Sequence, residues 1–563
     1  MSPLKVLESS ALPEVFNQTP PLTGFNLYLT DTTLKEAIQR GEATWAEPRL
    51  RELGQLLGTE EIQRWGFEAN ENEPVLQTHD RFGNRRDEVE FHPSWHSLMR
   101  TSVESAVHSL PWATPRKGAN VARAAMMMMT VQNEVGHTCP VSMTFAAVAA
   151  LRAEPELAAE WEPQILSTTY DPRFRPAAEK SGVLIGMGMT ERQGGSDVRA
   201  NTTRAEQIGN SKEYLVTGHK WFCSAPMCDA FLILAQAPKG LSCFLLPRWT
   251  KAGQRNAFHI QRLKRKMGNR SNASSEVEFA RAWARLVGEE GRGIPTILEM
   301  VNCTRLDCAV ASAGLMRAAV VQAVHHAQHR KVFGKRLIEQ PLMQNVLADL
   351  IVESQASTLL AMRLASAFDG RRFSEQERSF ARIATAISKY YICKRASAHV
   401  GEALECLGGN GYVEESGMPR LYREAPLCSI WEGSGNVICL DVLRALAKEP
   451  GTLEAVIREI RIAARADARW NAVTTDLEAS LAKHARQIRE GVGPESEREA
   501  RRLTEKAAIA LQGSLLLRYG ASPVAEAFCA SRLFGGGGQT YGTLPAHVAV
   551  QPILEHFNTN LVT

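Results

Sequence analysis

M187-G-M-T-E-R-Q-G-G-S-D-V198 stands where the chain changes character. Ahead of it, over residues 34–170, apolar side chains recur at helical spacing, as in Leu53, Leu56 and Leu57 and in the alanine- and methionine-rich run 121–135. Breaks rich in Pro, Asn and Gly at 70–74, 81–86 and 111–118 separate these helices. The four methionines 126–129 cannot share one helical face and read as core filling. Behind the loop, segments 182–189, 213–217, 230–236, 241–246 and 276–279 are short, apolar or alternating, and bounded by turn residues, as strands are. Helices return at 294–300, 309–328, 342–369 and 380–407, and a further helical region follows Arg444 as far as a flexible glycine run, 535–538. Segregated helices and strands predict an α+β multidomain protein rather than α/β winding. The expected units are an N-terminal helical domain (1–181), a small middle β domain (182–292), a helical bundle (293–445) and a C-terminal helical extension (446–563).

The chemistry clusters in four segments. The opening loop combines exposed backbone donors, small residues and the Thr190 hydroxyl, which suits a heterocycle edge or a pyrophosphate. It also fits a plain turn between strands. It is no dinucleotide fingerprint, because Gly186 and Gly188 lack the third glycine and Glu191 stands there instead. In G218-H-K-W-F-C-S-A225, strand alternation puts Phe222 and Ser224 on one face, a match for a flat ring with a hydrogen-bonding nitrogen or for ordinary core packing. In H329-R-K-V-F-G-K-R336, Arg330 is a natural phosphate ligand and Phe333 a stacking platform for adenine. His325, His326 and His329 come without an H-E-x-x-H pattern or a cysteine cluster, so no metal site is expected.

The fourth segment runs from E405-C-L-G-G-N-G-Y412 through P419-R-L-Y-R-E424 to S429-I-W-E-G-S-G-N436. Its glycines let backbone approach a ligand closely. Glu432, between Trp431 and Gly433, is a carboxylate on an apolar approach, where burial raises the pKa and makes a candidate general base. A glycine-rich turn with Ser434 capping a helix is the plainer alternative.

Bulk properties narrow the classes. At 563 residues the chain exceeds one hydrophobic core. Its net charge of +4 excludes a globally basic polyanion binder and leaves only local patches, such as R262-L-K-R-K266 with Arg270. Eleven cysteines without a C-x-x-C argue against a disulfide framework. No apolar segment follows a basic N-terminus, and the apolar stretches 124–129 and 145–151 fall short of a membrane span. A soluble cytoplasmic protein with no membrane partner is expected.

The four segments, in this order and spacing, resemble the acyl-CoA dehydrogenase family of flavoproteins over about residues 91–444. The likeness is closest to its adaptive-response branch, through V15-F-N-Q-T-P, N26-L-Y-L-T-D31, F91-H-P-S-W-H96, G268-N-R-S-N-A-S274 and the helical extension. The resemblance implies an FAD cofactor. Met187, Met189 and Thr190 match the segment bonding the flavin pyrimidine edge, and Gly195 and Ser196 match the end of that loop. Phe222 stands where a Trp usually lies against the isoalloxazine, and Ser224 replaces the Thr that bonds flavin N5. Arg330 and Phe333 match residues reaching the FAD of a neighbouring subunit, which implies a homo-oligomer, usually a tetramer. Gly408 and Gly409 match the pyrophosphate loop, and Ser434 and Asn436 match polar residues near the same FAD. Glu432 falls on the base that takes the α-proton of an acyl-CoA, while Thr304 occupies the alternative base position. Val332, Glu405 and Trp431 replace a Thr, a Gln and a Tyr, and the bulkier Trp431 would narrow the acyl cavity.

Resemblance also implies that the extension binds duplex DNA. Independently, Arg458, Arg461, Arg465 and Arg469 recur at spacings of three and four, which predicts a phosphate-tracking stripe on one helix face. Lys483, Arg486 and Arg489, then Arg498, Arg501 and Arg502, continue it. Twelve basic residues nevertheless meet ten acidic ones between positions 451 and 520, so a solvated, acid-paired face is the alternative. Two functions stay open: an FAD-containing, DNA-binding protein of the DNA-alkylation response, or a metabolic dehydrogenase of short or branched acyl thioesters.

Overall fold

The computed structural model describes residues 15–449, 451–465, 469–491 and 493–558. The N-terminal unit is helical, as its periodicity predicts. Its helices α1 (Ala119–Asn133) and α2 (Thr138–Leu151) are buried almost all round, Met126–Met129 included. A hairpin, β1 (Val75–His79) with β2 (Arg85–Glu90), interrupts this unit where the charged sequence reads as a loop. Asp80 builds its turn by accepting the Phe82 and Asn84 N–H groups, and Asp87 docks the hairpin by accepting the Ile260 N–H at 2.8 Å.

The middle unit has seven strands: β3 (Ile185–Gly188), β4 (Arg204–Gln207), β5 (Glu213–Ser224), β6 (Ala230–Ala237), β7 (Gly240–Pro247), β8 (Phe258–Leu263) and β9 (Ser274–Val287). Antiparallel pairings run β4–β5–β9–β7–β6, and a parallel bridge between Arg204 and Gln236 returns β6 to β4, closing the sheet on itself. Closure leaves few free edges. The continuous apolar run of β6 is buried from Ala230 to Ala235, as a strand covered on both faces requires. The β4 and β8 segments are too polar to have been read as strands.

Residues 294–328 read as two helices form one, α3 (Gly293–His329). It is long and apolar enough to cross a membrane, yet 89% of its most apolar stretch is buried inside the protein. Helices α4 (Pro341–Gly370) and α5 (Glu375–Glu405) pack on it. A buried pair fixes α3 against α1: Arg123 Nη2 meets Asp307 Oδ2 at 2.8 Å, and Ser142 donates to the same oxygen. The bundle's last helix, α6 (Gly435–Lys448), carries the chain past the boundary expected at 445.

The extension contains α7 (Gly451–Arg461), α8 (Trp470–Arg489), α9 (Gly493–Tyr519) and α10 (Val550–Asn558). It docks on the bundle through buried ion pairs: Glu459 accepts from the bundle's Arg363 at 2.8 Å, and Arg532 meets the bundle's Glu353 at 3.2 Å. The glycine run is packed: Gly536 and Gly537 donate to Ala530 and Ser531 carbonyls, and a Cβ on Gly536 would stand 2.8 Å from the former. It is a tight turn rather than a flexible terminus. All eleven cysteines are buried, and none is in a disulfide.

Candidate active site

The loop after β3 turns around an internal ion pair. Glu191 and the β5 residue Lys220 are fully buried 2.8 Å apart, and Glu191 also accepts from the Thr202 and Thr203 N–H groups. Burial alone would raise the Glu191 carboxyl, but Lys220 together with the Thr202 and Gln193 bonds holds it well below its usual range. The loop backbone is fixed by Asn201 donating to the Met189 carbonyl and by the Trp221 N–H donating to the Thr190 carbonyl. Gly195 is obligatory, since a Cβ there would fall 2.3 Å from the Thr190 hydroxyl. Among the described residues, the N–H groups of Thr190, Gly195 and Ser196 meet no acceptor, so donors remain for a ligand. On β5, Phe222 is 51% exposed and the Ser224 hydroxyl lies 3.2 Å from that of Ser274. The Trp221–Thr190 bond sets the β5 residues Phe222 and Ser224 alongside the segment that carries Met187, Met189, Thr190, Gly195 and Ser196.

Glu432 lies on the bundle, just before α6, in the left-handed conformation at φ +57°. Two cations hold this unfavourable backbone. Arg305 Nε donates to the Glu432 carbonyl at 3.0 Å, and Lys389 donates to the Gly433 carbonyl. Arg305 is itself paired with Asp441, which Arg382 also bonds. These charges grip the main chain, and the carboxylate has no ion pair among the described residues. Its close partner is the Thr304 hydroxyl, 2.7 Å from Oε2 and also 3.0 Å from the Val301 carbonyl. Burial raises the Glu432 carboxyl above the usual range, against the Thr304 bond and the charges of Arg305 and Lys389. The Glu432 N–H meets no acceptor among the described residues. Cys139 of α2 lies near Ser224 and Asn272: burial pushes its thiol up to about 12, those two side chains acting against the rise and the Glu432 charge with it. Ser434 and Asn436 are exposed beside Glu432; Ser434 makes no capping bond, and Asn436 Oδ1 accepts from Arg501 of the extension at 2.9 Å.

The remaining predicted residues lie elsewhere. Arg330 follows the C-terminus of α3, 26 residues beyond Thr304, which at 1.5 Å per residue is about 39 Å away. Phe333 there is 97% exposed. Gly408 and Gly409 are exposed at the corresponding end of α5, and a Cβ on either would meet nothing within 4 Å. Glu405, the acid in place of a glutamine, is exposed on the last turn of α5.

The arginine stripe is not one helix face. Helix α7 ends at Arg461, whose guanidinium is paired with Glu478, and Arg469 precedes α8 with its guanidinium 4.0 Å over the Phe534 ring. Arg458 is exposed, and the Arg465 side chain lies outside the described residues. Spacing suggested continuity, but the α-helix gives way to a 3-10 helix over Ile462–Arg465 and a separate helix begins at Trp470. Among the described residues no group of three His, Cys, Asp or Glu side chains is placed to hold a metal ion. Lys389 and the Glu191–Lys220 pair carried no readable signal, because their partners come from remote segments.

A closed β unit carrying an amide-rich loop, set in the chain between helical units, together with a half-buried carboxylate on the bundle, suits a flavin ring and its substrate. The chain matches three family models: Adaptive response protein AidB N-terminal domain over residues 17–172, Acyl-CoA dehydrogenase, middle domain over 186–282, and Acyl-CoA dehydrogenase, C-terminal domain over 291–447. It belongs to the acyl-CoA dehydrogenase family and is an FAD-dependent oxidoreductase of that type. Within the family it is similar to the putative acyl-CoA dehydrogenase AidB of Escherichia coli (strain K12), with 46% identity over 93% of this chain and 95% of the relative. Acyl-CoA dehydrogenase family member 11 of Caenorhabditis elegans is 32% identical over 78% of this chain and 73% of its own length. The crystal structure of C. elegans ACDH-11 in complex with C11-CoA superposes with a TM-score of 0.82 at 28% identity, covering 91% of this chain and 92% of that one.

Proposed function

We propose that the protein oxidises a short or branched acyl-CoA between its α and β carbons, as a cytoplasmic homotetramer of the DNA-alkylation response whose extension contacts duplex DNA. The observation that carries the chemistry is Glu432: half-buried, without an ion pair among the described residues, raised in pKa by burial and held at a fixed backbone angle. Bound FAD supplies the acceptor for the hydride leaving the β carbon. Glu432 takes the α-proton, so that the Cα–Cβ double bond forms with no net charge left on the acyl chain. Its own N–H is free to bond the thioester carbonyl and stabilise the developing enolate. Thr190, Gly195 and Ser196 would hold the flavin ring by their N–H groups, beside Phe222 and Ser224. Trp431, partly buried beside the base, would limit acyl length. Mixing the FAD-loaded protein anaerobically with acyl-CoAs of increasing length tests this. Bleaching of the flavin's visible absorbance by short or branched thioesters supports the reading; no bleaching by any thioester sinks it.

Two further observations support assembly and DNA contact. Arg330 and Phe333 lie too far from Glu432 to serve the same cofactor, so they suit the FAD of a second copy. On α8, Lys483, Arg486 and Arg489 are exposed and form no ion pair among the described residues, leaving them available to phosphates.

A further inference from the structure

Residues 16–21 cross the open end of the bundle and bond three separate parts of it. Asn17, itself at φ +56°, clamps Lys331 twice: Nδ2 donates to the Lys331 carbonyl at 2.8 Å, and Oδ1 accepts the Lys331 N–H at 2.7 Å. The Asn17 carbonyl accepts from Arg330 Nη1 at 2.6 Å. Further along, Gln18 Oε1 accepts from Asn410 Nδ2 at 3.4 Å, Thr19 meets His326 Nδ1 at 2.9 Å, and the Pro20 carbonyl lies 2.8 Å from His325 Nε2. The strap therefore joins an arginine with no carboxylate partner among the described residues, three positions before the exposed Phe333, to the loop that carries the open glycines 408 and 409. A guanidinium, a stacking face and close-approach backbone are what a dinucleotide's phosphates and purine require.

We propose that the strap is part of the FAD site, and that Asn17 is the residue positioning Arg330 for the phosphates of a cofactor held by a second copy of the chain. One Arg330 nitrogen is spent on the strap, which fixes the plane of the guanidinium and leaves Nε and Nη2 for phosphate. The inference rests on the shared-cofactor reading above.

The test is a double-mutant cycle on FAD binding to the deflavinated full-length protein, read by flavin fluorescence. Asn17→Gly keeps the left-handed backbone and the carbonyl but removes the Lys331 clamp. It should weaken FAD binding about tenfold, near the 1.4 kcal/mol of one hydrogen bond. Arg330→Ala should weaken it more, and adding Asn17→Gly to Arg330→Ala should change nothing further. Wild-type affinity in Asn17→Gly, or full additivity with Arg330→Ala, overturns the positioning role while the shared site stands. Wild-type affinity in Arg330→Ala instead overturns the shared site itself. If Asn17→Gly lowers the thermal midpoint of the apoprotein, Asn17→Asp, which keeps the acceptor and loses the donor, replaces it in the cycle and is judged by the same outcomes.

Discussion

The two ends of the helical bundle are built on opposite plans. Around Glu432 the chain completes its own site: Thr304, Arg305, Lys389 and Asp441 converge from three helices on a half-buried carboxyl. About 39 Å along α3, at Arg330, the same chain leaves a half-site. Phe333 and Tyr412 are 97% and 84% exposed, and the glycines at 408 and 409 face empty space. The difference separates two uses of polar groups. A proton-transfer group needs its partners in place before substrate arrives, whereas a phosphate ligand waits for a charge that another molecule brings.

The sharpest break of this contrast is Glu432→Gln. Losing the base should cut acyl-CoA-dependent flavin reduction by about three orders of magnitude with FAD content unchanged. Rates near wild type would move the chemistry away from this end. At the other end, Arg330→Ala should lower FAD retention on gel filtration about tenfold or more while leaving the protein folded, since one charge-assisted bond to phosphate is lost. Equal effects of both substitutions on FAD retention would erase the distinction between the ends.

Thr304→Val sharpens it further. The Thr304 bond lowers the Glu432 pKa that burial raises. A base works ionised, so turnover rises with pH through that pKa. Removing the bond should move the acid limb of the pH profile upward by about one to two units. An unmoved limb would mean that Thr304 does not bond the carboxylate in solution. Replacing Lys483, Arg486 and Arg489 together by Ala should flatten the salt dependence of duplex DNA binding by about 2.7 in log–log slope, at roughly 0.9 per phosphate. An unchanged slope would place any DNA contact elsewhere. The smallest effect concerns Glu424, whose carboxyl burial and nearby Glu134 push up to about 7. Its folded pKa lies above the ordinary value, so its contribution to stability is present at low pH and lost as pH rises through about 7. Relative to Glu424→Gln, the wild-type thermal midpoint should therefore fall between pH 5 and pH 8.

The extension shows how far sequence spacing carries. Arginines three and four apart read as a stripe, but one helix ends at Arg461 and another begins at Trp470. Arg461, Arg518 and Arg532 meet carboxylates from other segments, which no local pattern reveals. The hairpin over 75–90 was hidden for a related reason, since its second strand is charged and Asp87 docks it on β8.

By itself the sequence determined the order of helical and β units, the amide-rich loop at 187–196, the carboxylate at Glu432 and the glycine pair at 408–409. These rest on local periodicity and on residues with special backbone or acid–base properties, which any alignment-free reading can see. The tertiary structure decided what surrounds them: which cations hold the Glu432 backbone and spare its carboxylate, that Glu191 is spent on Lys220, and that a segment 313 residues away grips Arg330. Each of these depends on side chains meeting across the fold, and desolvation and hydrogen bonding are set by that meeting rather than by position in the chain.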